Sequence, residues 1–279
     1  MRILVPTDFS PASETAYGVA LQVAHKLAAE VVLLNVFGLE APSRFESLEK
    51  LKVLETKARS RSMEQLREFQ ERMQDKFPVP DGVKTPQPLA IMGIAFEEIQ
   101  AAAERRDFDL IVMGTHGATN LQTKLLGTNT QNILSQSPIP VLVVPENAKV
   151  APPKHIAFAL DIERTDFSKL SLLESIGKAY DSIIRLIDVE TPGNPHEKAE
   201  IKAAVDRAKK ETGLGERLEL KVLHSDSVTE GIHRYMKDEE VDLLVMVQHR
   251  RSIYERIFKP SLTSKIIQQP DLPTLVFRQ

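Results

Sequence analysis

Short apolar runs alternate with longer segments of mixed polarity along the first half of this chain. The runs that predict buried β-strands cover residues 2–6, 31–36, 88–92, 110–113 and 141–144. Three of the segments between them place apolar residues at helical spacing, over residues 11–27, 45–77 and 95–105. Strands that alternate with helices are typical of a parallel sheet with right-handed crossovers, so we predict an open α/β domain.

The second half of the chain repeats this pattern. Adding one constant number of residues to the positions of the first apolar run and of Asp8 gives a second apolar run that is followed by Asp161. A smaller offset carries the run that ends at Met113 onto one that ends at Met246. Because the offset decreases between the two pairs, the second copy is shorter, and the loss falls in the charged segment 45–77.

Two tandem copies of one domain therefore make up the predicted fold. We place the domains at residues 1–146 and 153–279, joined by a short segment that its prolines stiffen. The predicted class is α/β, with two tandem open sheets of five parallel strands and helices on both faces of each sheet. A length of 279 residues is enough for two domains of ordinary size.

Composition excludes several kinds of function. A net charge of −3 gives no electrostatic attraction for a nucleic acid or an anionic membrane. The absence of cysteine excludes disulfides, thiolate catalysis and cysteine-based zinc sites. No apolar run has the length of a membrane-spanning helix, and the run 2–6 is too short for a signal peptide. We expect a cytoplasmic protein that binds neither nucleic acid nor membrane.

The most informative motif follows the apolar run 110–113. The run ends at Gly114, a second glycine follows at Gly117, and Gly127 and Thr128 then open a segment that is predicted to be helical. A buried strand, a glycine-containing loop and a helix start together can bind phosphate, because the first N–H groups of a helix are unpaired and lie at the positive end of its dipole. Ligands of open α/β sheets also bind at the carboxyl ends of the strands.

The spacing of these four residues, G-x-x-G-x9-G-[S/T], resembles the ATP-binding signature of the universal stress protein family. A first strand followed by Asp8 is a second likeness, and the tandem repeat extends the resemblance over essentially the whole chain. The resemblance implies a Rossmann-like five-stranded parallel sheet with ATP across its strand ends. Since the sequence shows no acidic cluster suited to a metal, Mg²⁺ is expected to be held by the phosphates of the nucleotide.

The residues predicted to bind ATP, or another adenine nucleotide, are Asp8, Val36, Met113, Gly114, Gly117, Gly127, Thr128, Asn129 and Thr130. The resemblance implies that Asp8 contacts the adenosine part and that Val36 lines the base pocket. The glycines and the helix start are predicted to surround the phosphates. Two structural alternatives stay open: Asp8 as a turn or capping residue before Ser10, and the first two glycines as a tight turn after a strand.

The second copy lacks the glycine motif. The three glycines correspond there to Val247, Arg250 and Pro260. A valine side chain fills the space that an approaching backbone needs, and proline has no N–H group to offer a phosphate. A basic cluster occurs here instead, formed by His249, Arg250, Arg251, Arg256 and Lys259. It is interpreted as a basic surface loop, with a different anion site as the alternative. ATP is predicted to bind in the N-terminal domain only.

The predicted function is that of a nucleotide-binding regulatory or protective module in the stress response. No motif of a known enzyme class occurs, and no catalytic residue is predicted. One alternative is slow ATP hydrolysis at the same site, in which the loop residue His116 would take part. The other is a protein-interaction scaffold that does not depend on nucleotide.

The final strands of the two copies, near residues 141–144 and 274–277, are short and rich in β-branched residues. Such edge strands need covering. The resemblance implies that they pair across a two-fold axis, which the two copies could achieve within one chain as a pseudo-dimer. A homodimer of the whole chain is a further prediction.

Overall fold

The computed structural model describes residues 1–38, 48–105, 108–115, 126–161, 164–192, 197–248 and 272–279. The chain divides into two compact units, Met1–Val150 and Ala151–Gln279. Of the residues predicted to bind nucleotide, Gly117 lies outside the described residues, as does the neighbouring His116. The basic cluster of the second copy, with Arg250, and the adjoining Pro260 also lie outside them.

The first unit alternates strands and helices. Its elements are β1 (Arg2–Pro6), α1 (Pro11–Leu27), β2 (Glu30–Phe37), α2 (Leu48–Lys76), β3 (Gln87–Met92), α3 (Ala95–Glu104), β4 (Leu110–Gly114), α4 (Thr128–Gln136) and β5 (Val141–Val144). The strands lie side by side in the order β3-β2-β1-β4-β5, and each neighbouring pair is parallel. This confirms the predicted α/β class with a parallel sheet.

The centre of the first sheet is its most buried part. In β1, the side chains of Ile3, Leu4 and Val5 are completely buried. Because successive side chains of a strand point to opposite faces, both faces of the sheet are covered at β1. From β1 the chain proceeds to β2 and β3 on one side, and it later returns to β4 and β5 on the other side. The carboxyl ends of β1 and β4 therefore border the position where the strand order reverses, which is the usual ligand site of such sheets.

Local signals explain where α1 begins and ends. Ser10 caps its first turn, with the Ser10 hydroxyl accepting a hydrogen bond from the N–H of Ser13, and Pro11 occupies the first turn, where no N–H is needed. The helix ends at Ala28, whose backbone adopts the left-handed conformation common at helix ends. These boundaries place the first turn of α1 directly after the end of β1.

The second unit has the same topology. Its elements are β6 (His155–Ala159), α5 (Ser171–Tyr180), β7 (Ile183–Glu190), α6 (Lys198–Thr212), β8 (Leu218–His224), α7 (Val228–Asp238), β9 (Leu243–Gln248) and β10 (Thr274–Arg278), with short 3-10 turns at Phe167–Lys169 and Gly215–Arg217. The parallel strands have the order β8-β7-β6-β9-β10. Most of the difference in length between the copies lies in the second helix, since α6 has 15 residues and α2 has 29.

None of the helices in the described part of the chain is both long enough and apolar enough to cross a membrane.

Candidate functional site

An open cleft of about 190 Å³ lies at the carboxyl ends of the strands in the first unit. It is lined by Pro6, Thr7, Asp8, Ser13, Leu34, Asn35, Val36, Ala95, Ile99, Met113, Gly114, Gly127, Asn129 and Thr130. These residues come from β1 and the loop after it, α1, β2, α3, β4 and the start of α4. Most of the residues predicted to bind nucleotide therefore meet at one cleft. Thr128 is not among the lining residues but follows Gly127 directly.

Asp8 lies in the connection between β1 and α1, which we call the Asp8 loop (residues 7–10). The Oδ1 atom of Asp8 accepts hydrogen bonds from the N–H of Ser10 at 3.2 Å and from its hydroxyl at 2.6 Å. The turn-residue alternative thus describes part of what Asp8 does. The carboxylate-bearing residue also borders the cleft. The two interpretations of Asp8 are compatible.

Gly114 is required by packing between secondary-structure elements. A Cβ atom at this position would lie 2.8 Å from the Cβ of Ala12 and 2.9 Å from its carbonyl carbon. Such contacts are shorter than real Cβ atoms show, so any side chain at Gly114 would push the first turn of α1 away from β4. The role of this glycine beside an anion stays a prediction, and the structure adds that the glycine lets a helix approach a strand. Both walls of the cleft depend on this contact.

The start of α4 provides N–H donors that have no acceptor within the helix. Gly127 is the N-cap residue and has no capping side chain, and the first intrahelical bond runs from the N–H of Gln131 to the Gly127 carbonyl. The N–H groups of Thr128, Asn129 and Thr130 precede that bond and have no intrahelical acceptor. They lie at the positive end of the helix dipole, which favours an anion.

Gly127 and Thr130, both predicted to bind nucleotide, also attach α4 to the end of β4. The N–H of Gly127 donates to the carbonyl of Thr115 at 2.8 Å. The hydroxyl of the buried Thr130 donates to the carbonyl of Gly114 at 3.0 Å. The backbone N–H of Thr130 stays at the helix start, but its side chain positions the helix. Gly127 of the motif, together with Thr130, thereby holds the N–H groups of α4 in place over the end of β4.

Part of the cleft lining is apolar. The buried side chains of Met113 on β4 and Ile99 on α3 lie there, together with Val36 at the end of β2. Sequence reasoning missed Ile99, because nothing in the helical pattern of the segment 95–105 distinguishes a residue at a cleft from one in the core. It also missed Asn35, a buried polar residue within an apolar strand, although that exception to the pattern is visible in the sequence.

The corresponding loop of the second unit is built differently. The N–H of Leu160 donates to the carbonyl of Ile187 at 2.9 Å, as the N–H of Thr7 does to the carbonyl of Leu34 at 2.8 Å. Asp161, however, accepts hydrogen bonds from Arg164 at both its backbone and its carboxylate oxygens. The backbone junction after the first strand is therefore shared, and the turn that carries the aspartate is not.

The fold and the cleft together define a tandem α/β protein whose first copy has a candidate anion site at the ends of its strands. Both halves of the chain match the model of the Universal stress protein family, over residues 1–145 and 151–278. The chain belongs to that family, as the glycine spacing and the repeat indicated.

Several relatives are similar to this chain. The universal stress protein Slr1230 of Synechocystis is 26% identical over 297 aligned positions, which cover 99% of each chain. The universal stress protein MJ0577 of Methanocaldococcus jannaschii is 32% identical over 158 positions, covering 51% of this chain and 93% of that protein. A universal stress protein structure from Archaeoglobus fulgidus superposes with a TM-score of 0.72 at 18% identity, covering 99% of this chain and 98% of that one. That likeness supports the fold over both units.

Proposed function

We propose that the first unit binds ATP, or another adenine nucleotide, in the cleft, and that the protein acts as a nucleotide-binding regulatory or protective module. The observation that carries the proposal is the meeting of two complementary walls. One wall is the start of α4, where the lining residues Asn129 and Thr130 carry N–H groups with no acceptor within the helix, and the other combines apolar side chains with Asp8. A nucleotide has an anionic end and an aromatic end that match these walls.

The phosphate end is assigned to the start of α4. The N–H groups of Thr128, Asn129 and Thr130 can donate to phosphate oxygens, and hydrogen bonds to a charged acceptor are stronger than neutral ones. The carbonyl groups of Gly114 and Thr115, which would repel an anion, already accept hydrogen bonds from α4. The end of β4 therefore does not oppose a phosphate at this position.

The adenosine end is assigned to the apolar wall. Val36, Ile99 and Met113 offer an apolar surface for the base, and Asp8 can accept a hydrogen bond from a ribose hydroxyl or an exocyclic amine. The volume of about 190 Å³ is below the roughly 300–1,000 Å³ of most ligand pockets. We therefore expect the cleft to hold the adenosine part, while the phosphates extend along the start of α4.

Mg²⁺ is expected to enter with the nucleotide. Within the described ranges, no three His, Cys, Asp or Glu side chains are grouped as a metal ion would need. We therefore expect the phosphates of the nucleotide, which are common ligands of Mg²⁺, to hold the metal ion at the cleft.

The second unit is proposed not to bind nucleotide in the same way. Val247 takes the place of Gly114 at the end of β9, and Asp161 is engaged by the turn that follows it. Native mass spectrometry of the whole chain with added ATP tests this proposal, with one bound nucleotide per chain as the expected result. Two bound nucleotides per chain would contradict it. The same spectra report whether the chain is a monomer or the predicted homodimer, and cell fractionation tests the proposed cytoplasmic location.

Replacing Thr128 by proline is expected to weaken ATP binding about tenfold to a hundredfold, because it removes one N–H donor to a charged acceptor. Proline is well tolerated at the first position of a helix, and the extended conformation of Gly127, with φ −59° and ψ 149°, suits a residue before proline. Titration calorimetry with ATP and with adenosine measures the effect. The affinity for adenosine should stay the same, since adenosine has no phosphate.

The matched control is Thr128→Ala, which removes the hydroxyl and keeps the N–H. It is expected to bind ATP within about threefold of the parent, because loss of one exposed neutral contact changes little. Equal ATP affinity in Thr128→Pro and the parent would show that the start of α4 is not part of the phosphate site. Failure of the parent to bind any adenine nucleotide would overturn the proposed function itself.

A further inference from the structure

Helix α2 is connected to the Asp8 loop by buried hydrogen bonds. The hydroxyl of Ser62 on α2 donates to Oδ1 of Asn35 on β2 at 2.7 Å. Nδ2 of Asn35 then donates to the backbone carbonyl of Thr7 at 2.9 Å. The side chain of Ser62 is 2% exposed and that of Asn35 8% exposed, so water does not compete for these bonds. Two polar residues within apolar surroundings thus reach the first residue of the loop.

The hydroxyl of Thr7 continues the connection into the loop. It accepts a hydrogen bond from the N–H of Phe9 at 3.0 Å and lies 2.9 Å from the hydroxyl of Ser13. Ser13 donates its own proton to the carbonyl of Ser10 at 2.8 Å, so the proton between the two hydroxyls belongs to Thr7. Ser10 in turn donates to the carboxylate of Asp8. We call the six residues Ser62, Asn35, Thr7, Ser13, Ser10 and Asp8 the loop network.

The loop network holds a backbone that would not adopt its conformation freely. Phe9 has a φ of +64°, in the left-handed region that non-glycine residues avoid. Its ring lies 5.8 Å from the ring of Phe69, which is on α2 and completely buried. Ser62 and Phe69 are two turns apart and therefore on the same face of α2. One helix face thus supports the loop at two points, by a hydrogen bond and by a ring contact.

The second unit shows that the shared fold does not need this network. Leu160, which corresponds to Thr7, has no hydroxyl, although it keeps the backbone bond to Ile187. Asp188 corresponds to Asn35, and a carboxylate has no N–H to donate to a carbonyl. The side-chain network is therefore a feature of the copy that has the candidate site.

We propose that Ser62, Asn35 and Thr7 are positioning residues, which hold the Asp8 loop in the conformation that binds nucleotide. The affinity of the cleft then depends on the packing of α2 against the sheet, although α2 itself contributes no lining residue to the cleft. This inference rests on the proposed nucleotide binding. It adds that α2, which lies outside the cleft, determines the fraction of molecules whose Asp8 loop can bind nucleotide. The apparent affinity for nucleotide scales with that fraction.

The test compares Ser62→Ala with Ser60→Ala. Ser60 lies on the same helix and is exposed, so its replacement is the matched control. Loss of the Ser62 hydroxyl leaves the buried Oδ1 of Asn35 without its donor and loosens the bond from Asn35 to Thr7. In Ser62→Ala without nucleotide, the amide protons of Phe9 and Ser10 should exchange with solvent about tenfold faster, measured residue by residue by NMR. Exchange at Leu4 and Leu33, in the centre of the sheet, should match the parent.

The affinity for ATP, measured by titration calorimetry, should fall about fivefold in Ser62→Ala and should not change in Ser60→Ala. If the amide protons of Phe9 and Ser10 exchange as slowly in Ser62→Ala as in the parent, the inference is overturned, whatever the affinities for ATP are. Faster loop exchange with unchanged ATP affinity also overturns it, because the loop conformation would then not govern binding. Failure of the proposed function has a different signature, since the parent and Ser60→Ala would then both fail to bind ATP.

Discussion

Replacing Gly114 by alanine is expected to weaken ATP binding about a hundredfold and to lower the free energy of unfolding of the first unit by about 2–3 kcal/mol. The added Cβ would lie 2.9 Å from the carbonyl carbon of Ala12, and backbone atoms cannot rotate away as a side chain can. Either α1 or the end of β4 has to move. The first turn of α1 supports the Asp8 loop and β4 supports α4, so both walls of the cleft would shift.

Urea unfolding and titration calorimetry measure these two effects. The control is Gly38→Ala, since a Cβ at Gly38 would meet no atom of the described residues within 4 Å and this glycine has no left-handed backbone. Gly38→Ala should unfold and bind ATP as the parent does. A Gly114→Ala variant with parental stability and affinity would show that α1 can retreat without cost, and the packing role of this glycine would be wrong.

Replacing Phe69 by alanine is expected to lower the free energy of unfolding of the first unit by about 3–5 kcal/mol, the usual cost of deleting a fully buried aromatic ring. The Phe69 ring contacts the ring of Tyr17 at 5.6 Å, edge to face, and that of Phe9 at 5.8 Å. Its loss leaves a cavity between α1, α2 and the Asp8 loop. It also removes the ring against which the left-handed Phe9 packs.

Thermal and urea unfolding of Phe69→Ala measure this cost. Val53→Ala on the same helix is the control, because the Val53 side chain is 53% exposed and its truncation should change stability by less than about 0.5 kcal/mol. Phe69→Leu should lie between the parent and Phe69→Ala, since leucine fills part of the volume. Equal stabilities of Phe69→Ala and Val53→Ala would mean that α2 does not pack against the sheet as described.

The glycine motif combines a packing role with the proposed binding role. Gly114 belongs to the glycine spacing of the family signature, yet its close contact in this structure is with α1. Gly127 donates its N–H to Thr115 rather than leaving it for a ligand. Two glycines of the spacing that indicates a nucleotide site in the sequence therefore have packing and attachment roles in this structure. The donors proposed for the phosphates are the three N–H groups that follow.

Much of the fold was predictable because its causes are local. The alternation of buried strands and amphipathic helices follows from side-chain periodicity, and the start of α1 follows from the serine and proline at residues 10 and 11. The repeat and its shortened second helix were visible because residue identities recur at constant offsets. These features depend on neighbours within a few residues, or on comparison of the chain with itself.

The composition of the cleft was predictable only in part. The glycine spacing indicated Gly114, Gly127 and the first turn of α4, and the strand end indicated Asp8. Ile99 was not predicted, because α3 reaches the cleft through the winding of the sheet and not through any local signal. Asn35 was missed although its position as a polar residue within an apolar strand is visible in the sequence. The hydroxyl of Thr130 positions the helix, while its N–H has no acceptor within the helix. The sequence did not indicate this combination either.

The sequence by itself determined that this chain is a tandem α/β protein of the universal stress protein family, with a glycine motif in its first copy. It did so because periodicity, capping and motif spacing are properties of short stretches. Only the tertiary structure decided which of those residues pack, which cap and which stay available to a ligand. Such roles depend on atoms brought together from distant positions, as when Ser62 on α2 supports Thr7 after β1 through Asn35.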